Sequence, residues 1–340
     1  MCRLAKPGGV NYNRNVTTRS PKDIKRYVFP AFIAFAGVAL GGASCNAKSA
    51  AGPEEANEAR ELANALDQAE GKNKPTASKS SAKTASQDPL PGVDVSKLDA
   101  KKKERFYKLV DQTLQSPCGK AHSLRKSVTS DQTCKRALFA ARYVVALLDD
   151  EATDEDVRRY YEGHYKAKGN YNFETQNTPF SGAPDAPVKL VEFYDYGCPA
   201  CKEYEPLLKE AVEPFSGEVV LYYKQFPLPV HPDSRPAAQA ALAAQKQGKF
   251  EEMHRLLFEK SHQHKKSDLQ AHAKALGLDM GKFETDFNAA AAVVQAHITE
   301  GDAAGVDGTP TLFINGRKYK GPWHPRYVRL WIEEELAVNR

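Results

Sequence analysis

Val188-Lys189-Leu190-Val191-Glu192-Phe193-Tyr194-Asp195-Tyr196-Gly197-Cys198-Pro199-Ala200-Cys201 is the stretch on which the reading of this chain turns. Its first seven residues are mostly apolar, as in a central strand buried on both faces. Asp195-Tyr196-Gly197 then turns the chain, and a helix is predicted over 202–212. Cys198 falls at a strand-to-helix junction, where unpaired backbone N–H groups and the helix dipole favour a thiolate. Pro199 in the first helical turn forfeits no hydrogen bond, because its N–H would have been unpaired there. Cys201, one turn later, is placed to attack a mixed disulfide formed by Cys198.

Paired cysteines also bind zinc. No second C-x-x-C or Cys/His knuckle follows at zinc spacing, and His262 and His264 fall on a Lys-rich stretch expected to face solvent. Redox chemistry is therefore the reading, with no metal and no cofactor expected.

The remaining cysteines have other contexts. Residues before 27 are polar and basic, and 27–43 are apolar without charge, although Pro30, Gly37, Gly41 and Gly42 weaken that run as a permanent membrane helix. The run ends in Gly41-Gly42-Ala43-Ser44-Cys45, which resembles the lipobox of bacterial lipoproteins. Cys45 would then be lipidated, but Gly42 stands where lipoboxes usually carry Leu. Cleavage near Ala43 and an uncleaved anchor are the alternatives. Each puts the rest of the chain in the periplasm or cell envelope.

Of the 340 residues, the first 44 hold seven Lys/Arg and one acid, which leaves 41 bases and 42 acids beyond. The net charge of +5 thus resides in the leader, and no nucleic-acid partner is expected. Residues 46–95 are Ala, Ser, Lys, Glu and Pro with hardly an aromatic, a composition that reads as a disordered tether.

Between 96 and 170 the pattern turns helical. Phe106, Leu109, Val110 and Leu114 share a face, and Leu138, Tyr143, Val144, Leu147 and Leu148 continue it. Thr153-Asp154-Glu155-Asp156 starts a third helix with a capping hydroxyl and three acids. In an oxidising compartment Cys118 and Cys134 read as a structural disulfide, closing a loop worth about 3 kcal/mol in the chain-entropy model. The alternative, a second redox pair, has no sign of thiolate activation in the spacing.

The stretch from Val191 to Pro206 resembles the DsbA-like branch of the thioredoxin superfamily. So do Lys224-Gln225-Phe226-Pro227-Leu228-Pro229, the run from Gln247 to Phe258, and Gly305-Val306-Asp307-Gly308-Thr309-Pro310-Thr311-Leu312-Phe313-Ile314-Asn315-Gly316. The resemblance implies a thioredoxin-like α/β domain over 171–340, with a helical insertion at about 233–300 and strands near 188–194, 218–225, 311–315 and 317–320. It also implies a cis Thr309–Pro310 peptide beside the C-x-x-C, with Thr309, Pro199 and Ala200 contacting substrate, and a buried acid, Glu192, able to trade a proton with Cys201. Cys198, Cys201, Glu192 and Pro310 are the candidate catalytic residues.

The expected function is thiol–disulfide exchange on exported proteins, with an unidentified redox partner resetting the cysteines and a lipid anchor at the membrane. DsbA itself carries His where this chain has Ala200, which leaves isomerase and reductase open. An isomerase would use 96–168 for dimerisation, although the same helices could cap their own chain. A membrane-tethered binding or chaperone module with idle cysteines is the reading from another class.

Overall fold

The computed structural model describes residues 87–167 and 169–339. The expected leader with Cys45, and the tether up to 86, lie outside the described residues. Packed chain begins ahead of 96: Leu90 and Val93 are buried, because these two apolar residues fall within reach of the helices that follow.

The helical segment comprises Ala100–Lys108 (α1), a π-helical turn Leu109–Thr113, Leu124–Ser130 (α2), Ala137–Asp149 (α3) and Asp154–Tyr165 (α4). Nine of the thirteen residues of α3 are buried, and a helix apolar on most sides must lie inside. The predicted start of the third helix is α4, where Thr153 Oγ1 accepts the Asp156 N–H at 3.1 Å and the Asp156 carboxylate returns toward Thr153 N, a capping box. Cys118 and Cys134 are joined by a disulfide.

Five strands follow in one sheet: Phe180–Gly182 (β1), Val188–Tyr194 (β2), Val219–Gln225 (β3), Thr311–Ile314 (β4) and Arg317–Lys318 (β5), ordered β1-β3-β2-β4-β5. β2 is central, parallel to β3 and antiparallel to β4. β1 is too short to show a two-residue period in the sequence. β4 stops one residue short of expectation because Asn315 and Gly316 take left-handed φ values of 46° and 76° and form the turn to β5, which begins where expected and ends two residues early, at Lys318.

Pro199–Val212 (α5) connects β2 to β3. Ser234–Lys246 (α6), Phe250–Glu259 (α7), Lys266–Ala275 (α8) and Met280–Ala303 (α9) form the insertion, and Pro325–Asn339 (α10) closes the chain. Alternation along β2 sends Leu190, Glu192 and Tyr194 to one face and Val191 and Phe193 to the other. The first face shares a continuous core with α5, α10 and the N-terminal helices. The second packs Val220, Tyr222, Phe226, Val306 and Phe313.

The N-terminal helices dock on α10 of their own chain. Tyr327 Oη donates to Asp150 at 2.6 Å, Arg326 pairs with Asp149 and Asp150 at 2.9 Å each, and Arg136 pairs with Glu334 and Glu335.

Candidate active site

Cys198 is the residue before α5, so the first turn of that helix faces its sulfur. Both Cys198 and Cys201 are free thiols, and Cys201 is fully buried. Cys198 Sγ lies 3.3 Å from the Thr309 carbonyl oxygen. The Thr309–Pro310 peptide is cis, and the buried Thr309 hydroxyl has no hydrogen-bond partner among the described residues.

The two thiols are pushed in opposite directions. The Cys201 thiol is the main group holding Cys198 down at about 5; Thr309 and the backbone N–H groups of Cys201 and Ala200 add to this against the effect of burial. Burial first, and then the neighbouring Cys198 and Glu192, drive Cys201 far above the ordinary thiol range. At neutral pH Cys198 is a thiolate and Cys201 a thiol, which is the division of labour that thiol exchange requires.

Glu192 sits on β2, on the face that carries Leu190 and Tyr194 toward α5, and is 2 % exposed. Burial, reinforced by Glu205, raises its carboxyl to about 8, while Lys209 opposes the rise. It therefore holds a proton at neutral pH.

The junction before Cys198 is held by Asp195, which the sequence marks as a turn residue and the structure makes a clamp. Its buried carboxylate accepts the N–H of Gly197 at 2.8 Å and of Leu228 at 3.0 Å, and meets His231 Nδ1 at 2.6 Å. This ties the turn before Cys198 to the segment after β3. An Asp two residues before a Gly is a turn signature that could have shown it. Ser234 Oγ also accepts the Gly197 N–H, at 3.0 Å. A Cβ at Gly197 would lie 2.8 Å from His231 Cβ and closer still to Ser234 Oγ, so only Gly fits this approach.

Behind the cysteines runs a buried polar chain. Gln225 donates to Tyr194 Oη, Tyr194 Oη lies 3.0 Å from Tyr196 Oη, and Tyr196 Oη lies 2.9 Å from His254 Nδ1. Tyr194, Tyr196 and Tyr204 are buried core residues. His264, expected to face solvent, is buried with Nε2 3.0 Å from the Leu257 carbonyl; this one backbone partner satisfies a ring that its Lys-rich neighbours do not. Cys118 and Cys134 belong to the helical segment. Among the described residues no group of three His, Cys, Asp or Glu could hold a metal.

Residues 174–334 match the thioredoxin family. A thioredoxin-like oxidoreductase from Silicibacter pomeroyi DSS-3 is 30 % identical, with 46 % of this chain and 91 % of that chain covered and a TM-score of 0.41. Oxidised BdbD from Bacillus subtilis is 24 % identical, covering 49 % of this chain and 97 % of that one, at a TM-score of 0.43. The Na(+)/H(+) antiporter NhaA 1 of Mycobacterium sp. (strain KMS) is 37 % identical over 147 residues, which is 42 % of this chain and 24 % of that protein. The chain spans about a quarter of the length of the curated relatives it matches.

Proposed function

We propose that this chain, whose residues 174–334 form a thioredoxin-family domain, is a protein thiol–disulfide oxidoreductase that forms or exchanges disulfides in exported proteins. The carrying observation is the split between the two cysteines: Cys198 held at about 5 by its surroundings and Cys201 pushed far up.

In the oxidised enzyme a substrate thiolate attacks Cys198 Sγ. The Cys198–Cys201 bond breaks, and Cys201 leaves with the electron pair. Glu192, protonated at neutral pH, supplies the proton that Cys201 takes up and is reprotonated from solvent. A second substrate thiolate then attacks the substrate sulfur of the mixed disulfide, which forms the substrate disulfide and releases Cys198 as a thiolate. The Thr309 carbonyl beside Cys198 leaves the backbone around Pro310, with Pro199 and Ala200 opposite, as the surface along which a substrate strand adds. A partner oxidant resets the pair.

A thiol near 5 lies between the ~7 of thioredoxin and the ~3.5 of DsbA, in keeping with Ala200 in place of a His that would help hold the thiolate. A pair less oxidising than DsbA is expected, with a potential below about −120 mV. The dimerisation motive for an isomerase weakens, since the buried face of the N-terminal helices is filled by α10 of the same chain. Envelope location and anchoring through Cys45 rest on the leader; no described helix is long and apolar enough to cross a membrane.

The test is the potential of the Cys198/Cys201 pair against glutathione, beside insulin reduction and scrambled-RNase refolding. A potential at thioredoxin's value sinks the oxidase reading. A Cys198→Ala variant as active as wild type in every assay sinks the redox reading and leaves the binding module.

A further inference from the structure

Where the helical segment meets α10, a cavity of about 240 Å³ is lined by Pro117, Arg136, His164, Tyr165, Ala167 and Arg317. It shares no lining residue with the C-x-x-C, and chain neighbours of the other cysteine pair line it. Pro117 is the residue before Cys118, and Arg136 is two residues after Cys134. Cys118 is exposed and Cys134 is buried.

Two observations point to a ligand here. His164 is almost wholly buried, its Nε2 lies 3.2 Å from a Glu334 oxygen, and its Nδ1 has no hydrogen-bond partner among the described residues. A ring kept neutral by burial, with its one N–H given to that carboxylate, leaves Nδ1 an unpaired, buried acceptor in a residue that lines the cavity. Charge is also sorted by depth. Arg136 is 21 % exposed while its partner Glu334 is 2 % exposed, and Lys120 is 44 % exposed while its partner Asp131 is 10 % exposed. Arg317 stands outside Glu335 in the same way, and Lys135 beside Cys134 is exposed. The acids lie inward and the bases outward, so an arriving solute meets positive charge around the disulfide.

We propose that the Cys118–Cys134 disulfide is a second exchange site, which accepts a low-molecular-weight thiol bearing carboxylates. The carboxylates dock on the N–H groups of Arg136 and Arg317 that Glu334 and Glu335 leave unused. The thiolate attacks Cys118 Sγ; the Cys118–Cys134 bond breaks, and Cys134 leaves with the electron pair and takes a proton from water. A second molecule of the thiol attacks the small-molecule sulfur of the mixed disulfide and frees Cys118. Two small thiols are oxidised to one disulfide, and the protein disulfide is reduced by the same two electrons. This inference is independent of the reading of Cys198 and Cys201.

The full chain carrying Cys198→Ser and Cys201→Ser isolates the site. Reduced glutathione and its diethyl ester, which has the same thiol without free carboxylates, are compared at equal thiolate concentration. Mass spectrometry of alkylated peptides reads the state of Cys118 and Cys134. Glutathione is expected to open the disulfide about three- to fivefold faster than the ester at low salt, the size of roughly one partly screened ion pair. That ratio should fall toward one in Arg317→Gln. Should that variant fail to fold, titration of the parent with KCl decides the matter in its place, because screening must erase the preference. Equal rates for the two thiols at low salt, or a disulfide inert to glutathione, overturn the proposal and leave the bond purely structural.

Discussion

Two buried carboxylates on the same side of this fold meet opposite fates. Glu192, beneath α5, is pushed up to about 8 by burial and by Glu205. Glu334, on α10 where the N-terminal helices dock, is held down at about 2: burial opposes this, but His164, Arg136 and Tyr165 outweigh it. Burial therefore does not decide the charge state by itself; the number of donors brought to the carboxylate does. At the junction the donors come from α4, from the start of α3 and from β5, so an ionised Glu334 ties three elements together. Beneath α5 few donors reach Glu192, and its carboxyl keeps its proton at neutral pH.

That contrast can be broken first by deletion. Glu334→Ala leaves Arg136 and His164 without their partner and should cost about 3–5 kcal/mol in urea unfolding at pH 7. Glu192→Gln removes no charge from a carboxyl that is already protonated at that pH, and should cost well under that amount while slowing exchange. Equal losses in the two variants would refute the contrast.

A pH titration sharpens it. A group whose folded pKa is raised stabilises the fold fully below its unfolded value near 4.5 and ceases to do so as pH rises through about 8. Stability should thus fall between about pH 4.5 and 8 by on the order of 5 kcal/mol from Glu192, and Glu192→Gln should flatten this limb. Glu334 has the opposite sign: its contribution is present above about 4.5 and is lost as pH falls toward 2. Denaturation midpoints across this range, in wild type and in each single variant, separate the two limbs.

The smallest effect tests the scaffold of the junction. Thr153→Ala removes the cap of α4, the helix that delivers His164 to Glu334, and should cost about 1 kcal/mol in thermal or urea unfolding. No measurable loss would mean that tertiary contacts alone set the start of α4.

Much of this is legible in the residues because it depends on neighbours in the chain. The apolar run of β2, the turn after it and the cysteine spacing act over a few positions, as does the Thr153–Asp156 cap. Where local pattern misleads, the deciding partner is remote. His264 reads as solvent-facing among lysines, and only its approach to Leu257 and Tyr196 shows it inside. Asp195 reads as a turn residue, yet Leu228 and His231, more than 30 positions on, make it a clamp.

Residue order along the chain is enough to stand Cys198 at a strand-to-helix junction with Cys201 one turn away, since local pattern and helix pitch fix that spacing. It is not enough to bring Thr309, 111 residues later, to face Cys198, nor to make α10 the floor on which the N-terminal helices rest. Those outcomes depend on which surfaces bury one another, and burial is a property of the whole packed chain.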